Sequence, residues 1–234
     1  QAVHEASLLH DDILDGCHER RGRPSMMARS GAAAALVQGD HLLTAAYRMV
    51  VTTGSLPLVE AFARAVERTV AGEKAQARAA GRWLTEPEYR EIVQGKSGEL
   101  FGVAAAMAAH LRGDAAAALR DEALGIRMGC LYQMVDDFLD LCPGAELGKP
   151  PLLDLAQEKW SWPLAWSGAG AFPQGDEARA AFVDALFTPE PGGGRSPMRR
   201  ALRRLELEVE ALERSWRAAH PDDREVPRIL ASWV

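Results

Sequence analysis

Apolar residues recur every three to four positions through most of the chain, the spacing of helices that bury one face. Val3, Ala6, Leu9 and Ile13 predict a helix over residues 2–15, and the polar, breaker-containing run Gly16 to Pro24 ends it in a loop. The same periodicity predicts helices from Gly31 to Val50 and from Leu58 to Ala80. Thr85-Glu86-Pro87-Glu88 reads as a helix start, with Thr85 as N-cap and Glu88 closing a capping box, and that helix continues to His110. The next one, from Ala115 to Leu141, carries Leu124, Met128, Leu131, Val135 and Phe138 at helical intervals. Its Gly125 and Gly129 predict a face that a neighbouring helix approaches closely, at some cost in helix propensity. A Pro/Gly loop follows from Cys142 to Pro151, then helices from Leu152 to Ser167 and Glu177 to Leu186. After the breaker run Pro189 to Pro197, a charged amphipathic helix runs from Met198 to Ala219. The pattern predicts an all-α fold.

Composition agrees. With 234 residues and 47% hydrophobic content the chain can bury a sizeable core, and one domain over 1–234 is expected. Alanine is abundant, aromatics are only 6% and β-branched runs are short, which favours helix. A net charge of -6 with no basic stripe argues against nucleic acid as a partner. Cys17, Cys130 and Cys142 show neither CxxC spacing nor an even count, so a reducing, cytoplasmic setting is expected. No apolar run reaches the roughly 18 to 20 residues of a membrane span, so no stable membrane insertion is expected. The chain opens on Gln1 already in helical pattern, and N-terminal helices are expected to precede it.

The chemistry concentrates in a near-repeated pentapeptide, Asp11-Asp12-Ile13-Leu14-Asp15 and Asp136-Asp137-Phe138-Leu139-Asp140. Within each copy the first and last aspartates lie one helical turn apart on one face, where like charges destabilise unless a cation joins them. An all-oxygen cluster suits a hard cation such as Mg2+. Basic residues follow both copies: Arg20-Arg21 after the first, Lys149 and then Lys159 after the second. Acidic clusters with convergent Arg and Lys point to a polyanion, such as a diphosphate, held between metal and cations.

On these residues the chain resembles the trans-isoprenyl diphosphate synthases, the polyprenyl synthetase family, in register from His4 to about Leu164. HDDILD followed by RRGRP is similar to the family's first aspartate-rich motif, and YQMVDDFLD to its second. Gly39-Asp40-His41-Leu42-Leu43 resembles GDxLL, Lys96-Ser97-Gly98 a lysine-threonine-glycine motif, and Leu147-Gly148-Lys149-Pro150 with Asp154-Leu155 the loop beyond the second motif. The resemblance implies an isoprenoid-synthase helical bundle around a central apolar cavity, acting as a homodimer. It implies that isopentenyl diphosphate condenses with an allylic diphosphate by ionisation, condensation and elimination, with three Mg2+ and bound diphosphate. Asp11, Asp15, Asp136 and Asp140 would then ligate metal with Asp12 and Asp137 in support. Arg20, Lys96, Lys149 and Lys159 would hold the allylic diphosphate, and His4 and Arg21 that of isopentenyl diphosphate. Ser97 and Gln133 would line the site of the developing cation.

A cationic reaction needs electrostatic stabilisation of the leaving group and a dry pocket. Ala6 and Ser7, five and four residues before Asp11, are small, so the tunnel wall is open there and a product of geranylgeranyl length or longer is expected; Tyr47, Met49 and Phe62 are candidates for its floor. The chain departs from the family pattern in two places. The glycine-lysine-arginine motif expected upstream of His4 is not among these 234 residues, and Gln157-Glu158-Lys159-Trp160-Ser161 stands where Glu-Gly-Lys, a small residue and Thr are usual. Competing readings are a class I terpene cyclase, which the second DDxxD argues against, an HD-type phosphohydrolase on His4, His10 and Asp11, which needs a further metal-binding histidine and leaves the second acidic motif unexplained, and a regulatory subunit of a heteromeric prenyl synthase, which the intact aspartates of both motifs argue against. His10 reads as a structural hydrogen-bonding residue, and Arg199, Arg200, Arg203 and Arg204 as a solvated face balanced by Glu206, Glu208 and Glu210.

Overall fold

The computed structural model describes residues 1–20, 22–142, 152–190 and 192–233. Arg21, Leu147, Gly148, Lys149 and Pro150 of the sequence motifs lie outside the described residues.

The amphipathic stripes become helices. Helix α1 spans Ala2–Leu14, and a two-residue antiparallel hairpin follows, β1 (Glu19–Arg20) with β2 (Arg23–Pro24), Glu19 opposite Pro24 and Arg20 opposite Arg23. A short helix α2 (Met26–Ser30) precedes α3 (Ala32–Val51); its N-cap Ser25 accepts from the Ala28 amide at 3.1 Å. Helix α4 runs over Leu56–Ala79 and α5 over Glu86–Val93, the latter starting where Thr85 donates through its amide (2.9 Å) and hydroxyl (2.7 Å) to Glu88. The helix predicted from Thr85 to His110 is interrupted: Gln94–Gly98 form a π turn, and α6 resumes at Glu99–Arg112. Gly113, at φ 72°, ends α6, and Asp114 caps α7 (Ala115–Asp140) by accepting from the Ala117 amide at 2.9 Å.

The helix predicted from Leu152 to Ser167 is two short pieces, α8 (Leu153–Ala156) and a 3₁₀ turn Trp162–Trp166. The break is a Schellman motif: the Lys159 amide donates to the Asp154 carbonyl and the Glu158 amide to that of Leu155, with Glu158 at φ 53°. Helices α9 (Asp176–Phe187), α10 (Pro197–Ala219) and α11 (Glu225–Ala231) complete the chain. The basic run on α10 is balanced as expected, Arg203 pairing with Glu206 and Arg204 with Glu208.

Two apolar clusters flank the site. The larger joins α5, α7, the 3₁₀ turn, α10 and α11 through Leu131, Met134, Trp162, Leu205, Leu212 and Leu230. The smaller joins α3, α4 and α6 through Val50, Leu58, Phe62 and Val103, with Ala2 and Val3 of α1 packed on it. Between the clusters, α6 and α7 make the most extensive helix pair in the fold. Gly125 permits it as predicted: a Cβ there would lie 2.4 Å from the Phe101 carbonyl oxygen. No helix among the described residues is long and apolar enough to cross a membrane.

Candidate active site

The π turn is the centre of the site because it is squeezed from both sides. On one side Gly72 of α4 lies against it so closely that a Cβ would sit 2.4 Å from the Lys96 amide nitrogen; on the other is Gly129 of α7. Lys96 therefore points back toward α4 and α1, and Ser97 toward α7. π turns recur at functional sites, where an extra residue redirects side chains that α geometry would place elsewhere.

Lys96 Nζ lies 2.8 Å from Gln76 Oε1 and 3.3 Å from Glu73 Oε1. Burial opposes its charge, but Glu73, Asp11 and Asp15 outweigh burial and lift its pKa above the ordinary lysine value. The last turn of α1 supplies those aspartates. Burial, reinforced by the charges of Glu73 and Asp15, pushes the Asp11 pKa up to about 6, with Lys96 working against the rise. Asp12 is buried and accepts from Arg20 Nε at 2.7 Å, so the hairpin folds back onto the helix that precedes it. Burial opposes the Arg20 charge too, and the bond to Asp12 raises its pKa over the ordinary arginine value. Asp15 meets Lys159 Nζ at 2.6 Å, and its carbonyl accepts from Gln157 Nε2 at 3.2 Å. The Schellman turn thus carries Lys159 to the first motif, although its flanking residues depart from the family pattern.

From Ser97 a chain of hydrogen bonds leads to the second motif. Ser97 Oγ donates to Gln133 Oε1 at 2.9 Å, and Gln133 Nε2 donates to Asp137 Oδ1 at 2.9 Å. The other oxygen of Asp137 accepts from the Tyr89 hydroxyl at 2.6 Å and from the Trp162 amide at 3.1 Å. Burial, with the neighbouring Asp154 charge, raises the Asp137 pKa above the usual carboxylate range, while the bonds from Gln133 and Tyr89 pull it back. Asp140 is wholly buried, accepting from the Asp154 amide at 3.3 Å, and Asp136 is half-buried one turn before it. Gln76, Tyr89, Lys159 and Trp160 line one small pocket, so side chains serving the two motifs lie close together.

Of the other residues named from sequence, His4 is exposed on the first turn of α1, where its carbonyl accepts from Ser7 Oγ at 2.8 Å. Ala6 is buried and Ser7 half-buried. Tyr47 and Phe62 stack edge to face with ring centroids 4.9 Å apart, in the cluster that holds Ala2 and Val3. Met49 is 65% exposed and is no part of that floor. His10 packs as a structural residue, its ring occupying the space that a Cβ on Gly39 would fill, but the hydrogen bond expected of it is not made among the described residues: Nε2 is buried and lies 3.4 Å from Asp40.

The donor set fits a divalent cation in chemistry. It is all carboxylate, and Asp11 makes no side-chain hydrogen bond among the described residues while its burial favours a counter-ion. Among the described residues, however, no three carboxylates, imidazoles or thiolates close into a metal cluster by themselves. Protein cations or neutral donors hold Asp12, Asp15 and Asp137 instead. Sequence reasoning missed Glu73, Gln76, Tyr89 and Gln157. A signal for the first two existed: Gly72 in the middle of an alanine-rich helix marks a close approach, and Glu73 and Gln76, three apart, share a face beside it.

The model of the polyprenyl synthetase family matches residues 1–182. The chain belongs to that family. It is 34% identical over 167 residues to an octaprenyl diphosphate synthase of Escherichia coli, covering 69% of this chain and 51% of that one. To a (2E,6E)-farnesyl diphosphate synthase of Mycobacterium tuberculosis it is 32% identical, covering 79% and 53%. The chain thus spans about half the length of these curated relatives. Among solved structures, a Caulobacter crescentus polyprenyl synthase complexed with calcium and isoprenyl diphosphate superposes with a TM-score of 0.85 at 27% identity, covering 99% of this chain and 74% of that one. The all-α polyprenyl synthase fold expected from sequence is therefore the fold of this chain.

Proposed function

We propose that this polyprenyl synthetase condenses isopentenyl diphosphate with an allylic diphosphate to give a longer linear trans-polyprenyl diphosphate. The observation that carries the reading is the π turn, which presents Lys96 to the first aspartate motif and Ser97, through Gln133, to the second. Asp11, Asp15 and Asp136 are the proposed Mg2+ ligands, and the ions when bound would neutralise the diphosphate leaving group. Lys96 and Lys159 then take the outer phosphate oxygens, exchanging Glu73 and Asp15 for substrate, while Arg20 reaches them with its other guanidinium nitrogens and keeps its Nε bond to the buried Asp12. Asp12 and Asp137 orient their neighbours, and Ser97 and Gln133 turn oxygen atoms toward the developing cation. The tightly packed helices around them exclude water that would quench it.

Growth of the product is proposed to run along α1 past Ala6 toward the Tyr47–Phe62 pair. The small side chains of Ala6 and Ser7 on that path support a product of geranylgeranyl length or longer, provided the chain passes the Tyr47–Phe62 pair, which shares a cluster with Val3, about 12 Å of helix from Asp11. The test is incubation of the whole protein with Mg2+, labelled isopentenyl diphosphate and a geranyl or farnesyl primer, with products resolved by chromatography. Expected is metal-dependent elongation that falls at least about a hundredfold in Asp11→Ala and Asp136→Ala. Ala6→Phe should shorten the product. A folded protein that elongates no primer would overturn the proposal.

A further inference from the structure

Glu99 is the first residue after the π turn, and its side chain is 2% exposed. Carboxylates are rarely kept this far from water unless partners hold them. Its Oε1 accepts from Arg68 Nη1 at 2.9 Å and from Gln94 Nε2 at 3.2 Å. Gln94 opens the π turn, and Arg68 stands on α4 one turn before Gly72, whose surface the turn presses against. A single buried oxygen therefore ties both ends of the turn to each other and to α4. None of the proposed chemistry requires Glu99.

A π turn holds one residue more than an α turn, and relaxation to α geometry rotates the succeeding residues by about 100° around the helix axis. Lys96 could not then keep Gln76 and Glu73 while Ser97 kept Gln133. The glycine contacts at Gly72 and Gly129 leave room for the turn but do not hold it shut. The charged clamp does.

We infer that Glu99 is a positioning residue: through Arg68 and Gln94 it fastens the π turn to α4 and so aims Lys96 at the diphosphate. This rests on the diphosphate reading of the site. It is tested first without any ligand, by limited acetylation of the whole protein and mass spectrometry of the Lys96 peptide, with the exposed Lys74 of α4 as internal reference. In Glu99→Gln the Lys96 rate should rise several-fold relative to Lys74 while cooperative melting is retained. Arg68→Gln, which removes the half-exposed end of the clamp, should shift the ratio the same way should the buried substitution unfold the chain. An unchanged ratio in both would overturn the inference.

A second readout is the affinity for inorganic pyrophosphate with Mg2+ in a cycle with Lys96→Ala. Glu99→Gln alone should weaken binding several-fold and add nothing in the Lys96→Ala background, because it acts through that lysine. Losses that simply add would show a general structural role and overturn the inference. If the unmodified protein binds no pyrophosphate, the diphosphate reading falls, and the acetylation ratio still decides whether Glu99 holds Lys96.

Discussion

On α1 the aspartates are met by charged side chains, Asp12 by Arg20 and Asp15 by Lys159, whereas on α7 Asp137 is met by a tyrosine hydroxyl, a glutamine amide and a backbone amide. The pentapeptides are nearly identical, so the difference lies in the partners that the rest of the fold brings to each. A long cation such as Lys159 can swing from a carboxylate to a phosphate and leave the carboxylate for a metal. Neutral donors fixed in the core cannot follow. Under the proposed function the first motif is thus the exchangeable side of the site and Asp137 of the second is part of its fixed wall, with the π turn touching both.

The largest expected contrast is in stability. Asp137→Ala leaves the Tyr89 hydroxyl and the Trp162 amide without their buried partner and should cost about 3 kcal/mol or more in denaturant unfolding. Asp15→Ala, which breaks a partly buried ion pair whose lysine can turn toward solvent, should cost less, about 1–2 kcal/mol. Equal costs would dissolve the distinction between the motifs. Tyr89→Phe removes one bond to a buried carboxylate and should cost about 1.5–3 kcal/mol by the same measurement. A smaller effect of opposite sign is expected at Glu158, whose left-handed backbone suits glycine. Glu158→Gly should raise stability by about 1 kcal/mol, less the contribution of the exposed bond from Gln174.

The smallest effect concerns the start of α5, which carries Tyr89. Backbone and side-chain bonds from Thr85, and then the bond from Arg82, hold the Glu88 pKa down at about 2, against an ordinary 4.5. Because the folded value is depressed, this contribution is fully present above about pH 4.5 and is lost as the pH falls through 2. Melting of Glu88→Ala beside the parent chain should show a gap at neutral pH that closes toward pH 2.

Much of the fold was legible in the sequence. Periodicity placed α1, α3, α4, α7 and α10 to within a few residues, and the capping box at Thr85 marked the start of α5. The glycines of α7 announced the close approach of α6. The π turn was not legible, since Gln94 to Gly98 fits an uninterrupted helix and the extra residue depends on tertiary contacts: the room left by Gly72 and Gly129, and the bond from Arg68 to Glu99. The break after α8 was missed because its C′ residue is Glu158, where a glycine would have signalled the stop. Tyr89 escaped notice for a similar reason: on an amphipathic helix a tyrosine reads as core, and its polar partner is 48 residues away.

The most direct test of the exchangeable and fixed sides is a crystal structure of the protein with Mg2+ and a non-reactive allylic diphosphate analogue. Lys159 is predicted to leave Asp15, now 2.6 Å away, for phosphate oxygen, while the 2.6 Å bond from Tyr89 to Asp137 is kept. A complex in which Lys159 still holds Asp15 and the Tyr89 bond is the one that breaks would contradict the assignment of the two sides.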